Sequence, residues 1–210
     1  MKIALIQAST QIARNHLLFE ETKRATEHLG AEVFNFGVVE NEENFSYIQI
    51  SLCVGLLLNS GAIDYVVTGC SSGNGMAIAA NALPNVICGY LPTPSDAFLF
   101  GRINQGNCAS LSLGLNFGWG GEINLRFTLE KLFEAPMNTG YPVESAERKK
   151  RDAARFKAIK KLAQTDMLSV LTGLEEELVS PIFRKRELID FILENATNSE
   201  LTAFLRAKIK

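Results

Sequence analysis

The chain reads as an α/β protein: a doubly wound, five-stranded parallel sheet of order 2-1-3-4-5, Rossmann-like, with a helical C-terminal extension. Three observations predict it. Short apolar runs alternate with longer helical ones from Lys2 to Phe133, the pattern of strands joined by right-handed crossovers. Ile63 to Thr68 is a β-branched run that suits a strand covered on both faces. The 210 residues, 47% of them hydrophobic, make one domain of ordinary size with room for an appendage.

In order, Lys2 to Ala8 is the first strand, closed by the polar turn Ser9-Thr10-Gln11. Ile12 to Leu29 is a helix stopped by Gly30, and it carries His16 and His28 on its surface. Glu32 to Phe36 is the second strand, and Phe45 to Asn59 a largely apolar helix after the acidic turn Gly37 to Asn44. Val86 to Leu91 is the fourth strand, Asp96 to Ile103 a helix capped by Ser95, Cys108 to Leu113 the fifth strand, and Glu122 to Phe133 the last helix of the sheet domain.

Ala135 to Pro142 breaks the pattern, so the domain is expected to span 1–144 and the extension 145–210. Ser145 starts a basic helix through Lys161, whose charges are mostly a solvated face. Two further helices are expected, Pro181 to Glu194 with Pro181 in its first turn, and Ser199 to Ile209 with Ser199 as N-cap. Leu188, Ile189, Ile192 and Leu193 form an apolar stripe suited to packing or to a dimer face.

Composition excludes several classes. A net charge of −2 gives no bias toward nucleic acid. No apolar run is long enough for a membrane span, and Met1 leads directly into a strand pattern with no signal peptide. Cys53, Cys70, Cys88 and Cys108 form no Cys-x-x-Cys pair, which argues against zinc and for reduced thiols in a cytoplasmic protein.

The stretch Gly61 to Asn81 carries the chemistry. A strand, the small loop Gly69 to Gly75 and a helix from Met76 place a nest of backbone N–H groups at a helix start. Cys70 stands at its lip, where a helix dipole favours a thiolate. Small turns also occur where a sheet packs closely on its helix, and free cysteines are more often buried fillers. The loop has neither dinucleotide nor Walker spacing. In a sheet of this order ligands bind at the switch between the first and third strands. That point lies between Gln7-Ala8-Ser9-Thr10 and Cys70 to Gly75, the same loop.

Cys70-Ser-Ser-Gly-Asn-Gly-Met-Ala-Ile-Ala-Ala-Asn81 resembles the Cys-Gly-Thr-Gly-x-Gly-x-Ser-Ile-Ala-Ala-Asn signature of the ribose-5-phosphate isomerase B and galactose-6-phosphate isomerase family. Asn104 and Asn107 match both asparagines of its His-Asn-x-x-Asn motif, and the resemblance covers about residues 2 to 134. It implies cofactor-free, metal-free interconversion of phosphorylated aldoses and ketoses through an ene-diolate. Cys70 would be the base and Ser72 its assisting hydroxyl. The backbone of Ser71, Gly73, Asn74 and Gly75, with Asn104, would hold the oxyanion. The family's Asp-His pair falls on Ala8 and Ser9, with Ser9 the expected substrate contact there, its ring-opening histidine on Ile103, and its arginine three residues before the Asn on Gly101. Its later Arg-His-x-x-Arg pattern is absent, so Arg148, Arg151 or Arg155 is the expected phosphate ligand.

The resemblance also implies a homodimer or dimer of dimers with shared sites. Three readings follow: a divergent sugar-phosphate isomerase, a catalytically silent sugar-phosphate binder, and an epimerase acting on an open-chain substrate. With Ile103 in place of histidine, substrates already open are expected to be preferred.

Overall fold

The computed structural model describes residues 1–115 and 117–209. Its strands are β1 (Lys2–Leu5), β2 (Glu32–Asn35), β3 (Tyr65–Cys70), β4 (Cys88–Tyr90) and β5 (Cys108–Ser112). All pair in parallel. The order is 2-1-3-5-4 rather than 2-1-3-4-5, so the last two strands are exchanged. The reason lies in their residues. β5 has four consecutive buried residues and suits an interior position. β4 has three residues, one of them Gly89 pressed against the Phe100 ring, and only Cys88 is buried. It therefore takes the edge. The exchange sets Ser112, not the end of β4, beside Cys70.

Side chains alternate across the sheet with period 2. Ile3, Leu5, Tyr65, Val67, Ala109 and Leu111 face one core with α1 (Asn15–Thr26), α4 (Pro94–Leu99) and α5 (Gly121–Leu132). Ala4, Ile6, Val66 and Cys108 face the other with α2 (Tyr47–Asn59) and α3 (Asn74–Asn81). A 3-10 turn over Ser9–Arg14 precedes α1 and another over Glu27–Leu29 follows it, ending at Gly30 with φ 59° as expected. A capping box between Ser46 and Gln49 starts α2. Thr93, not Ser95, caps α4, because its hydroxyl accepts the Asp96 N–H and Pro94 fits the first turn. The helix then widens into a π turn over Phe100–Asn104.

The extension holds α6 (Ala146–Ala163), α7 (Met167–Gly173), α8 (Glu176–Arg184), α9 (Arg186–Asn195) and α10 (Ser199–Lys208). The expected helix from Pro181 to Glu194 is instead two, broken at Lys185, and Pro181 lies inside α8. Asn198, not Ser199, caps α10. Lys210 lies outside the described residues. The Leu188 stripe is not a free dimer face. Leu188, Ile189 and Ile192 are fully buried, and Phe191 meets Phe34 and Phe36 at 4.6 and 5.1 Å between ring centroids. From Ile50 to Leu58 every residue of α2 is buried, since the sheet covers one side and α7 and α8 the other. Gly55 lets Met167 of α7 pack close, since a Cβ there would lie 3.1 Å from its sulfur and methyl carbon and 2.8 Å from Leu83. The extension is thus part of the main core. No described helix is long and apolar enough to cross a membrane.

Candidate active site

Cys70 ends β3 at the carboxyl edge of the sheet and is half-buried. The chain turns at Gly73 (φ 78°), where a Cβ would lie 2.7 Å from the Tyr90 ring and 2.9 Å from the Leu111 carbonyl carbon. Only glycine fits both the angle and the space. That turn starts α3 at Asn74, earlier than the expected Met76, and swings the Gly73 N–H onto Cys70 Sγ at 3.2 Å. The Asn74 N–H reaches Ser72 Oγ at 3.3 Å. The N–H groups of Gly75 and Met76 follow at a helix start, where no intrahelical acceptor exists.

The nest is braced from β5. Ser110 Oγ donates to the Gly73 carbonyl at 2.7 Å and Ser112 Oγ to the Ser71 carbonyl at 3.3 Å. The Gly114 and Leu115 N–H groups bind that same Ser71 carbonyl at 3.0 and 2.7 Å. Ser71, Ser72, Gly73, Asn74 and Gly75 therefore gather beside Cys70.

Three neighbours were not legible as site residues. Gln11 leaves the helical path (φ −122°, ψ 25°), and its Nε2 lies 3.3 Å from Ser71 Oγ. Arg14 stacks on Phe117 at 4.2 Å and pairs with no carboxylate among the described residues. The Tyr47 ring lies 3.5 Å from where a Gly75 Cβ would stand, and 44% of the residue is exposed. Ser9 sits at this edge but is differently engaged. Its Oγ accepts the Phe45 N–H at 2.6 Å and its N–H reaches the Phe45 carbonyl at 3.4 Å, so it ties a loop to β1.

Asn104 is not brought to Cys70 within one chain. It precedes β5 at the amino edge, where Cys108 pairs with Val66, and Cys70 lies four residues further along β3, about 13 Å away. There Asn104 lines a groove of about 510 Å³ with Asn81, Cys88, Phe156 and Lys160. Asn81 itself is structural: its amide donates to the Cys88 carbonyl at 2.7 Å and accepts the Cys88 N–H at 2.9 Å. Arg148 is exposed and pairs with Asp152 at 3.3 Å, and Arg151 is exposed on the same helix. Neither contacts the Cys70 loop. His16 and His28 are exposed on the outer helix. Among the described residues no cluster of three or more His, Cys, Asp or Glu side chains is placed to hold a metal.

The other cysteines differ from Cys70 in being sealed. Burial pushes the Cys53 thiol up to about 12. It also raises Tyr65 and Cys108, whose thiol is further kept protonated by donating to Cys88 and by repulsion from it.

A thiol at the lip of a donor-lined nest can pass a proton to and from carbon while the donors hold the neighbouring oxygen. On this fold, that places the molecule among the isomerases of sugars. A profile described as Ribose/Galactose Isomerase matches residues 6–155, and the chain belongs to that family. A solved 4-deoxy-L-threo-5-hexosulose-uronate ketol-isomerase, complexed with a tartrate, is 37% identical with a TM-score of 0.94, covering 100% of this chain and 99% of that one. A ribose-5-phosphate isomerase from Vibrio parahaemolyticus is 36% identical with a TM-score of 0.93, covering 99% of each. The type B ribose 5-phosphate isomerase of Trypanosoma cruzi shares the fold at 19% identity and TM-score 0.65, covering 78% of this chain and 98% of that one. Two full-length relatives thus match the extension as well, whereas this shorter one does not span it. No curated protein matches the chain.

Proposed function

We propose that the protein is a cofactor-free ketol-isomerase of open-chain, anionic sugars. Cys70 as thiolate takes the proton from C2 of the aldose, and the C2–H electron pair forms the ene-diol double bond. The nest N–H groups hold the oxygen that gains charge, and Ser72 relays the hydroxyl proton. Return of the proton to C1 leaves C1 reduced to an alcohol and C2 oxidised to a ketone, so no external oxidant is needed. One observation carries the reading: Cys70 is held in a donor nest with Gly73 N–H on its sulfur.

The open-chain preference rests on what the sequence beside Asn104 lacks. Ring opening needs an acid at the ring oxygen, and Ile103 stands where the family's histidine would be. The compound named for the 37% identical neighbour needs no such acid. Lacking a C4 hydroxyl and carrying a ketone at C5, it cannot close a furanose or pyranose ring on its aldehyde. We therefore take a hexosulose-uronate as the favoured substrate class, with Arg14 as the cation for its carboxylate. A phosphorylated aldose is the second reading, favoured by the name of the 36% identical neighbour.

The functional unit we propose is a homodimer with shared sites, since Asn104 can reach a Cys70 nest only in another copy. Exposed Phe156 and Ile159 (50 and 63%) of α6 line the groove beside Asn104, and exposed Leu162 (89%) on the same helix adds to an apolar surface. Arg148 and Arg151, on the same helix, would serve the neighbour's site. Deuterium uptake from solvent into 4-deoxy-L-threo-5-hexosulose-uronate and into ribose 5-phosphate, side by side, tests the chemistry. Exchange into the uronate but slow exchange into the phosphate is expected; exchange into neither would leave a silent binder. Mixing Cys70→Ala with Asn104→Ala protein should restore up to about a quarter of wild-type activity, because half the dimers are mixed and each has one intact site.

A further inference from the structure

The C-terminal extension reaches the site through a loop the chemistry does not use. Lys185 is the residue at which α8 and α9 part, with ψ 73° between two helical segments. Its side chain is only 2% exposed, and its Nζ lies 2.5 Å from Glu42 Oε1. A buried ammonium needs such a partner, and the helix break is what turns Lys185 toward it. Next to it, Arg184 forms a two-pronged pair with Glu43 at 3.1 and 2.5 Å. The far oxygen of Glu42 accepts the Val39 N–H at 2.7 Å, closing the loop on itself.

From this anchor the loop runs straight to the nest. Lys185 Nζ lies 5.4 Å from the centre of the Phe45 ring. Phe45 is locked to Ser9 through both of its backbone groups. Two residues on, Tyr47 opens α2, with its ring carbons 3.5 to 3.9 Å from the Gly75 Cβ position. No hydrogen bond engages its hydroxyl among the described residues.

We infer that Lys185, with Arg184, is a positioning residue that holds the 37–46 loop so that Tyr47 covers the lip of the Cys70 nest and contacts substrate there. This rests on the nest being the substrate site. It gives the extension a role in the reaction beyond packing on α2. A side chain held at one end of a loop whose other end is pinned to β1 has little freedom, which is what orientation of a reactant requires.

The test uses Tyr47→Ala, Lys185→Met, the double variant, and Arg186→Ala as a control, since Arg186 pairs among the described residues only with Asp190 on its own helix. The first readout is the rate at which iodoacetamide labels Cys70, which needs no turnover. Tyr47→Ala and Lys185→Met should each label severalfold faster than wild type, the double variant no faster than Tyr47→Ala, and Arg186→Ala at the wild-type rate. The second is isomerisation of the uronate. Lys185→Met should raise KM more than it lowers kcat, with kcat/KM falling by up to about 10²-fold, the cost of a misplacement near 1 Å. Wild-type labelling in Lys185→Met, or additive acceleration in the double variant, would overturn the inference. Should Lys185→Met fail to fold, Arg184→Gln and Glu42→Gln carry the same readouts, and wild-type labelling in both overturns it. A wild type that isomerises nothing refutes the proposed function instead, while the labelling rates still decide whether the brace exists.

Discussion

The two edges of the sheet each present cysteine and asparagine at an end of α3, and the protein uses them in opposite ways. At the amino end, Cys88 and Cys108 face each other across paired strands, both buried, with Asn81 stitching the C-terminus of α3 to β4. At the carboxyl end, Cys70 is half-buried and meets the N-terminus of the same helix, with N–H groups and serine hydroxyls around it. The helix is the same, but its two ends differ in sign. A thiol at the donor end is placed to hold negative charge; a thiol sealed in the core is placed only to fill space. Residue type alone decides nothing here, and the end of the strand decides most of it.

The comparison is broken most severely at Cys70. Cys70→Ala should lower substrate proton exchange by about 10²–10⁴-fold, the range for a positioned base. It should leave the circular dichroism spectrum and melting curve close to wild type, because only the Gly73 N–H loses its acceptor. Near wild-type exchange in this variant would remove Cys70 from the mechanism.

Next in size is the turn that makes the nest. Gly73→Ala forces a methyl group into a left-handed residue and against the Tyr90 ring and the Leu111 backbone. A loss of about 2–4 kcal/mol in urea unfolding is expected, combining the left-handed penalty with overpacking. Stability within 1 kcal/mol of wild type would mean the turn can relax, and the close fit at Gly73 would lose its meaning.

The buried thiols of Cys53 and Cys108 give stability a pH dependence. Below its ordinary value of 9.0 the Cys53 thiol is protonated in both folded and unfolded chains. Between 9.0 and about 12 only the unfolded chain releases the proton. The unfolded state then binds fewer protons, so stability falls as pH rises, by about 1.4 kcal/mol per pH unit for this one group. Cys108 and Tyr65, raised by the same burial, add to the slope. Urea midpoints measured from pH 8 to 11 should fall steadily, and Cys53→Ala should make the fall shallower. An unchanged slope in that variant would show that Cys53 ionises without unfolding.

What could be read from the sequence divides along the same line. The nest was legible because its signals are local: a strand, a run of small residues and a helix start, all within Tyr65 to Asn81. So was Gly30, whose φ of 59° ends the first helix. The order of β4 and β5 was not, because it depends on which strand has more to bury, and that is settled only when both compete for the place beside β3. The break at Lys185 escaped for a similar reason. Arg186 to Asn195 reads as a continuation of α8, and the carboxylate that draws Lys185 aside is Glu42, over 140 residues earlier. Tyr47 and Gln11 carry no motif. They become site residues only when the 37–46 loop and the turn after β1 close on α3. Asn104 belongs to a family motif, but which end of the sheet it occupies is a property of the fold.

The smallest effect is expected at the other glycine of the nest. Gly75 lies in the same loop as Gly73 and in the same family signature, yet its φ is not positive, and a methyl group there would meet the Tyr47 ring at 3.5 to 3.9 Å, ordinary contact. As the second residue of α3 it gives up backbone entropy on folding that alanine would not. Gly75→Ala should therefore stabilise the protein by about 0.5–1 kcal/mol. The N–H of residue 75 stays where it was, so the donor nest is preserved. The added methyl group meets the Tyr47 ring, and kcat should move less than KM. The pair of substitutions separates two reasons for a glycine in one motif: at Gly73 the backbone angle and the space behind it, at Gly75 only the room beside the tyrosine. A Gly75→Ala protein less stable than wild type would mean that the methyl group does not fit as ordinary contact against the Tyr47 ring, and that the lip of the nest is as tightly fitted as its turn.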